Sequence, residues 1–178
     1  MHRSPDELEG MLLSGDTGLV NTAIDAVEAL DPETALDQFD AIHAVGETVY
    51  DTGTGYQRQA AVRLLDALGT VWIAFVPGLG RVDLDPDDPI VEEVREARDA
   101  CWEFFIDAVQ DDDGRVRQSA VRAISTLATN AEFAERPVER EAATNVLRDA
   151  RAACPDDAIR EHINDAIRQI GLEYPPER

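Results

Sequence analysis

One segment of this chain occurs twice with nearly the same residues. Residues 58–68 read RQAAVRLLDAL, and residues 117–127 read RQSAVRAISTL. In both segments apolar side chains recur every three or four positions, which is the spacing of one face of an α-helix. A helical segment that recurs predicts an architecture in which similar units stack on one another. The repeat therefore constrains the fold strongly, but it does not name a function.

Prolines, glycines and acidic residues divide the chain into further helices. Ser4 and Asp31 each stand before a proline, a pattern that predicts a capped helix start. The helix that begins at Pro32 is expected to continue to Val49. No run alternates as a strand would, so we expect an all-α fold in a single domain over 1–178. This domain is expected to contain about eight helices in four pairs, over residues 5–30, 32–76, 89–129 and 137–171, with a long loop at residues 77–89.

The second helix of each pair carries a ladder of four positions at helical spacing, most of them apolar. The ladders are Leu19, Ala23, Val27 and Leu30; Gln57, Ala61, Leu65 and Leu68; Val116, Ala120, Ile124 and Leu127; and Ile159, Ile163, Ile167 and Ile170. A small residue in the middle of a ladder lets two helices approach closely, and the flanking aliphatic side chains fill the seam. These ladders are predicted to form the core.

Two ladders follow an acidic turn and an apolar–arginine dipeptide. These dipeptides are Val116-Arg117 and Ile159-Arg160. The whole pattern resembles the HEAT and HEAT-like family of helical repeats. The resemblance implies a right-handed α-solenoid of four HEAT-like pairs. It also implies that arginines 58, 117 and 160 tether the acidic turns of adjacent repeats.

Acidic residues outnumber basic residues by 37 to 16, which gives a net charge of -21, and all the basic residues are arginine. This composition resembles that of proteins from salt-loving archaea. We interpret the carboxylates as a solvated acidic shell. Nucleic-acid binding needs a basic stripe that neutralises phosphates, so nucleic acid is not an expected partner, and a nucleic-acid-binding helical-repeat protein is the weakest alternative.

The chain is expected to be cytoplasmic. Its N-terminal residues lack an apolar signal core, and its longest apolar run, residues 71–76, is too short to span a membrane. Cys101 and Cys154 lack metal-binding spacing and are expected to be small buried hydrophobes.

Enzyme activity is not expected, and no cofactor is predicted. The chain has no nucleophile elbow, phosphate loop or dinucleotide fingerprint, and its three histidines are scattered. The alternative is an enzyme or metal-binding protein that uses the acidic loop 83–88, where four aspartates could hold a cation loosely: Asp83, Asp85, Asp87 and Asp88. The Asp111–Gly114 segment lacks the ligands of an EF-hand loop, so Asp113 is expected to cap a helix.

Two surfaces are candidates for partner binding. The first is a mixed polar strip on the concave side of the solenoid, which would suit a protein or peptide and could equally be plain solvated surface; its residues are Gln59, Arg63, Asp66, Gln118, Arg122, Glu161, Asp165 and Arg168. The second is an aromatic patch beside the long loop, formed by Trp72, Phe75, Trp102 and Phe105. That patch would bind a partner or a second copy of the chain, and the alternative is a bulky local core. We expect a non-catalytic interaction scaffold.

Overall fold

The computed structural model of the chain describes residues 3–71, 89–128 and 137–173. Within these ranges every element is an α-helix and no strand occurs, so the all-α prediction is confirmed. The helices are α1 (Pro5–Leu13), α2 (Thr17–Glu28), α3 (Pro32–Asp37), α4 (Phe39–Thr52), α5 (Gly55–Val71), α6 (Pro89–Ala108), α7 (Gly114–Ala128), α8 (Pro137–Ala153) and α9 (Asp157–Glu173).

The helix starts follow the capping residues that the sequence indicates. Ser4 Oγ accepts from Glu7 N at 3.3 Å, and a Glu7 carboxylate oxygen accepts from Ser4 N at 3.0 Å, which completes a capping box. Asp16 caps α2 by accepting from Leu19 N at 2.9 Å. Gly15, whose φ of 71° favours glycine, turns the chain between α1 and α2.

The helix that was expected to run unbroken from Pro32 to Val49 is two helices in the structure. At Gln38 the backbone leaves the helical region (φ -104°, ψ 3°), which ends α3 and begins α4. The apolar spacing continues across this break through Ala35, Phe39 and Ile42, and all three are buried. Periodicity alone therefore could not show the break, because no proline or glycine marks it.

Contacts divide the chain into two compact units, Met1–Cys101 and Trp102–Arg178. In the first unit α1 packs against α2 and α4, and α5 packs against α2 and α4. In the second unit α9 packs against α7 and α8. In both units, then, the second helices of successive predicted pairs touch each other. The single domain over 1–178 stays a prediction.

Twelve of the sixteen predicted ladder positions are buried in the core, one is exposed, and three are half-buried: Leu30, Gln57 and Ile167. In the second unit Val116, Ala120 and Ile163 are fully buried. In the first unit Leu19 is wrong as a core residue, because it is 43% exposed. Helix α2 instead buries its neighbour Val20, which shares one helical face with the other buried residues of α2: Ala23, Ile24 and Val27.

Helices α4 and α5 approach each other closely at a glycine. A β-carbon at Gly46 would lie 2.9 Å from the side chain of Leu65, closer than packed carbon atoms allow. Leu65 itself is fully buried. The missing side chain at Gly46 is therefore what admits this leucine between the two helices.

Candidate interaction surface

Five of the eight predicted strip residues lie in the second unit, on two helices that pack against each other. Helix α7 carries Gln118 and Arg122, and helix α9 carries Glu161, Asp165 and Arg168. All five side chains are exposed. They stay on the surface because the opposite faces of α7 and α9 hold the buried ladders.

The three strip residues on α9 are joined by ion pairs along one helix face. Arg168 Nη1 lies 2.7 Å from Asp165 Oδ1, and Arg168 Nη2 lies 3.5 Å from Glu161 Oε1. The three side chains are 62–64% exposed, so each pair adds little to stability. Their charges are therefore close to one another and remain accessible to a partner.

Arg122 differs from the other two arginines of the strip, because its side chain has no partner among the described residues. Its guanidinium makes no ion pair or hydrogen bond to any residue that the structure describes, although the chain holds 37 acidic residues. An exposed arginine can pair with a carboxylate through two parallel hydrogen bonds. Arg122 can thus bind an acceptor without first losing a contact to any described residue.

The three strip residues of the first unit have a different environment. All are half-buried, and Arg63 donates from Nη2 to Asn21 Oδ1 on α2 at 3.0 Å. The charge of Asp66 acts on the thiol of Cys101. Gln59 also takes part in a contact. These side chains therefore have contacts inside the chain, so this part of the strip offers fewer free groups.

A cavity of about 310 Å³ opens beside the strip, between the N-terminal ends of α7 and α9. Gln118 belongs to both the strip and the cavity, and its amide Nε2 lies 3.5 Å from Nε2 of His162. The other ring nitrogen of His162, Nδ1, lies 2.8 Å from the carbonyl oxygen of Ala158. The cavity is lined by Asp113, Gly114, Arg115, Gln118, Asp156, Ala158, Ile159 and His162.

The arginines that begin the second helices of three pairs have a shared structural role. Arg58 Nη1 donates to the Gly53 carbonyl (3.5 Å), and Arg117 Nη1 donates to the Asp111 and Asp112 carbonyls (2.6 and 3.0 Å). In the same way, Nη1 of arginine 160 donates to the carbonyl of residue 154 at 2.7 Å. Each of these bonds ends in the turn just before the arginine's own helix, whereas the resemblance had implied a tether between the turns of adjacent repeats.

The predicted aromatic patch is only partly within the described residues. Trp72 and Phe75 lie outside them. Trp102 and Phe105 are 9% and 0% exposed, so these two rings belong to the core, and their burial favours the alternative of a bulky local core. Phe105 also meets Phe104 edge-on at 5.9 Å between ring centroids. The patch stays a prediction for the other two rings.

The acidic segments differ in what the structure shows of them. The loop 83–88, with Asp83, Asp85, Asp87 and Asp88, lies outside the described residues. Asp111 Oδ1 accepts from Asp113 N at 2.8 Å, and Asp113 in turn caps α7 by accepting from Arg115 N at 2.9 Å, as its position predicts. Within the parts of the chain that the structure describes, no group of three His, Cys, Asp or Glu side chains could hold a metal ion.

Sequence reasoning missed one buried charge. Arg98 on α6 is 2% exposed and donates from Nη2 to Asp99 Oδ1 at 2.8 Å. Its signal was present in the sequence, because it occupies the apolar face of α6 between Val94 and Cys101.

The thiol of Cys101 is buried, as the sequence predicted. Desolvation, and secondarily the charge of Asp66, raises the pKa of this thiol, which favours its protonated and less reactive form.

None of the described helices combines the length and the apolar character that a membrane crossing requires. No family model matches the chain, and neither a curated protein nor a solved structure matches it.

Proposed function

We propose that this chain is a non-catalytic interaction scaffold of HEAT-like helix pairs that binds a protein or peptide through the polar strip of α7 and α9. One observation carries the proposal. Exposed residues of both charges lie together on two packed helices, and Arg122 among them has no internal partner among the described residues. Such a surface can recognise a partner by hydrogen bonds and charge pairs, and it needs no reacting group.

The helical arrangement that we propose is a right-handed α-solenoid. Contacts between second helices, α2 with α5 and α7 with α9, support it, since stacked repeats touch their neighbours in this way. The arginine bonds in the turns of three pairs support the repeat as well. The absence of lysine and the net charge of -21 support adaptation to high salt.

The strip is tested by capturing the partner from an extract of the native host at high salt. The double variant Arg122→Glu, Arg168→Glu reverses two charges on the strip. The matched control Arg148→Glu, Arg151→Glu makes the same charge change at two exposed positions of α8. Helix content and melting temperature show that both variants fold.

We expect the strip variant to capture at least about tenfold less partner than the unmodified chain, because reversing a contact charge removes one favourable pair and adds repulsion. The control should capture as much as the unmodified chain. Equal capture by all three proteins would contradict the proposal. Equal loss in both variants would contradict it too, since net charge and not the strip would then govern binding. Arg63 is left unchanged because its bond to Asn21 would confound the result.

A further inference from the structure

The cavity between α7 and α9 differs from an ordinary pair of helix N-termini. Free backbone N–H groups at such ends normally attract anions. Here Asp113 Oδ1 accepts from Arg115 N at 2.9 Å, and Asp156 Oδ1 accepts from Ala158 N and Ile159 N at 2.9 and 3.1 Å. The caps therefore occupy these donors and add two negative charges, so an anion would meet carboxylates.

The charges that line the cavity leave one carboxylate uncompensated. Asp113 and Arg115 neutralise each other, with Oδ2 and Nη2 2.6 Å apart. Asp156 is exposed and makes no ion pair with any residue in the described ranges. Its Oδ1 accepts hydrogen bonds from two backbone N–H groups, while its Oδ2 makes no hydrogen bond within the same ranges. That second oxygen is a free acceptor with a formal charge.

The hydrogen bonds of His162 add a second acceptor. A carbonyl oxygen can only accept, so Nδ1 donates to Ala158 O and carries a proton. In the neutral ring Nε2 is then an acceptor. Its present donor, Gln118 Nε2, is 3.5 Å away, which is the long limit of a hydrogen bond. A better donor could replace the Gln118 amide and leave its carbonyl oxygen free to accept as well.

We infer that this cavity takes a basic side chain, arginine or lysine, from the protein partner. The inference rests on the proposed function, because the cavity shares Gln118 with the strip. Asp156 Oδ2, His162 Nε2 and the Gln118 carbonyl offer acceptors to a group that is rich in donors. The net charge of -21 favours the approach of a cation, and this attraction is greatest at low salt.

The test titrates the full chain at low salt with two tripeptide amides, acetyl-Gly-Arg-Gly and acetyl-Gly-Glu-Gly, and follows the His162 and Gln118 side-chain signals by NMR. Asp156→Asn removes the charge but keeps a good capping residue, so α9 should still begin in the same way. The matched control Asp157→Asn removes the same charge one residue further on, outside the cavity lining.

We expect the arginine peptide to shift both signals saturably and the glutamate peptide to leave them unchanged. Asp156→Asn should lower the affinity for the arginine peptide by about tenfold, since it removes a charged hydrogen bond. Asp157→Asn should lower this affinity by less than about twofold, since an exposed charge outside the cavity contributes little.

Three outcomes would overturn the inference. They are equal binding of the two peptides, unchanged binding in Asp156→Asn, and an equal loss in Asp157→Asn. Partner capture separates this inference from the proposed function. If the Arg122→Glu, Arg168→Glu variant loses the partner while Asp156→Asn still captures it, binding through the strip is supported and binding of a basic side chain in the cavity is contradicted. If the arginine tripeptide binds but the strip variant still captures the partner, the cavity site is supported and binding through the strip is contradicted.

Discussion

The two compact units carry equivalent arginines in different states. Arg63 in the first unit and Arg122 in the second occupy the same position of the repeated segment. Arg63 is half-buried and bonds to Asn21 on the neighbouring helix, whereas Arg122 is exposed and its side chain makes no hydrogen bond or ion pair with any residue in the described ranges. The same residue type at the same register therefore joins two helices in one unit and remains open to solvent in the other.

The units also differ in charge. The first unit, Met1–Cys101, holds 21 acidic and six basic residues, a formal charge of -15, whereas the second, Trp102–Arg178, holds 16 acidic and ten basic residues, a formal charge of -6. Most of the chain's arginines thus lie in the second unit, which carries the exposed part of the strip. The two copies of the repeated segment therefore share the spacing of their core residues but differ in the charge of their surfaces.

The largest expected effect is on stability, at a buried ladder position that we compare with the exposed ladder position of the same unit. Leu65→Ala removes a fully buried side chain next to Gly46 and should lower the free energy of unfolding by about 2–5 kcal/mol. Leu19→Ala should change it by less than about 0.5 kcal/mol, because Leu19 is an exposed ladder residue. Urea unfolding of both variants measures the difference. Similar costs at the two positions would show that Leu19 is a core residue after all.

The close approach of α4 and α5 predicts opposite results at two helical glycines of the first unit. Gly46→Ala should destabilise the chain by about 1–3 kcal/mol, because the new β-carbon would press on Leu65. Gly10→Ala has open space around it and should stabilise α1 by about 0.5–1 kcal/mol. Thermal unfolding checks both values. A stable Gly46→Ala protein would mean that Leu65 can move aside at little cost.

The contrast between the equivalent arginines can be measured directly. Arg63→Ala removes the bond to Asn21 and should cost about 1 kcal/mol of stability, whereas Arg122→Ala should cost close to none. A double-mutant cycle with Asn21→Ala assigns the loss at Arg63 to this bond. Equal stabilities of the two single variants would remove the structural distinction between the units.

The smallest effect concerns a helix cap in the first unit. The backbone N–H of Thr34, and then its hydroxyl, bind Asp31 and hold its pKa below the ordinary value of 3.8. A lowered folded-state pKa contributes stability above 3.8, and this contribution is lost as pH falls through the lower folded value. Asp31→Asn should therefore be slightly less stable than the unmodified chain at pH 6, and the gap should close toward pH 2. A gap that is independent of pH would contradict this role.

The sequence was most informative where local chemistry decides structure. Ser4, Asp31 and Asp113 were predicted as caps from their own residue type and neighbours, and each accepts the expected backbone bond. The break at Gln38 could not be found this way, and the only sign of the burial of Arg98 was its position on the apolar face of α6. A break inside a continuous apolar pattern depends on how the helices pack, and a buried charge depends on which groups tertiary contacts bring to it.

The same limit applied to the candidate surface. Helical spacing placed Glu161, Asp165 and Arg168 on one face, and the structure joins them by ion pairs there. Spacing alone could not tell that Arg63 would bond to Asn21 on the adjacent helix while Arg122 would bond to no acceptor among the described residues. The cavity was missed because it arises from two turns, at Asp113 and Asp156, that are far apart in sequence.

The arginine that closes each turn has a consequence for how such a chain can grow. Arg58, Arg117 and Arg160 bond to the turn before their own helix, so each bond lies within a single helix pair. A duplicated helix pair would therefore keep the bond that stabilises its turn, and it would require a neighbouring pair only to cover its apolar face. Gene duplication could then lengthen the protein while each copy's outer residues diverge on their own.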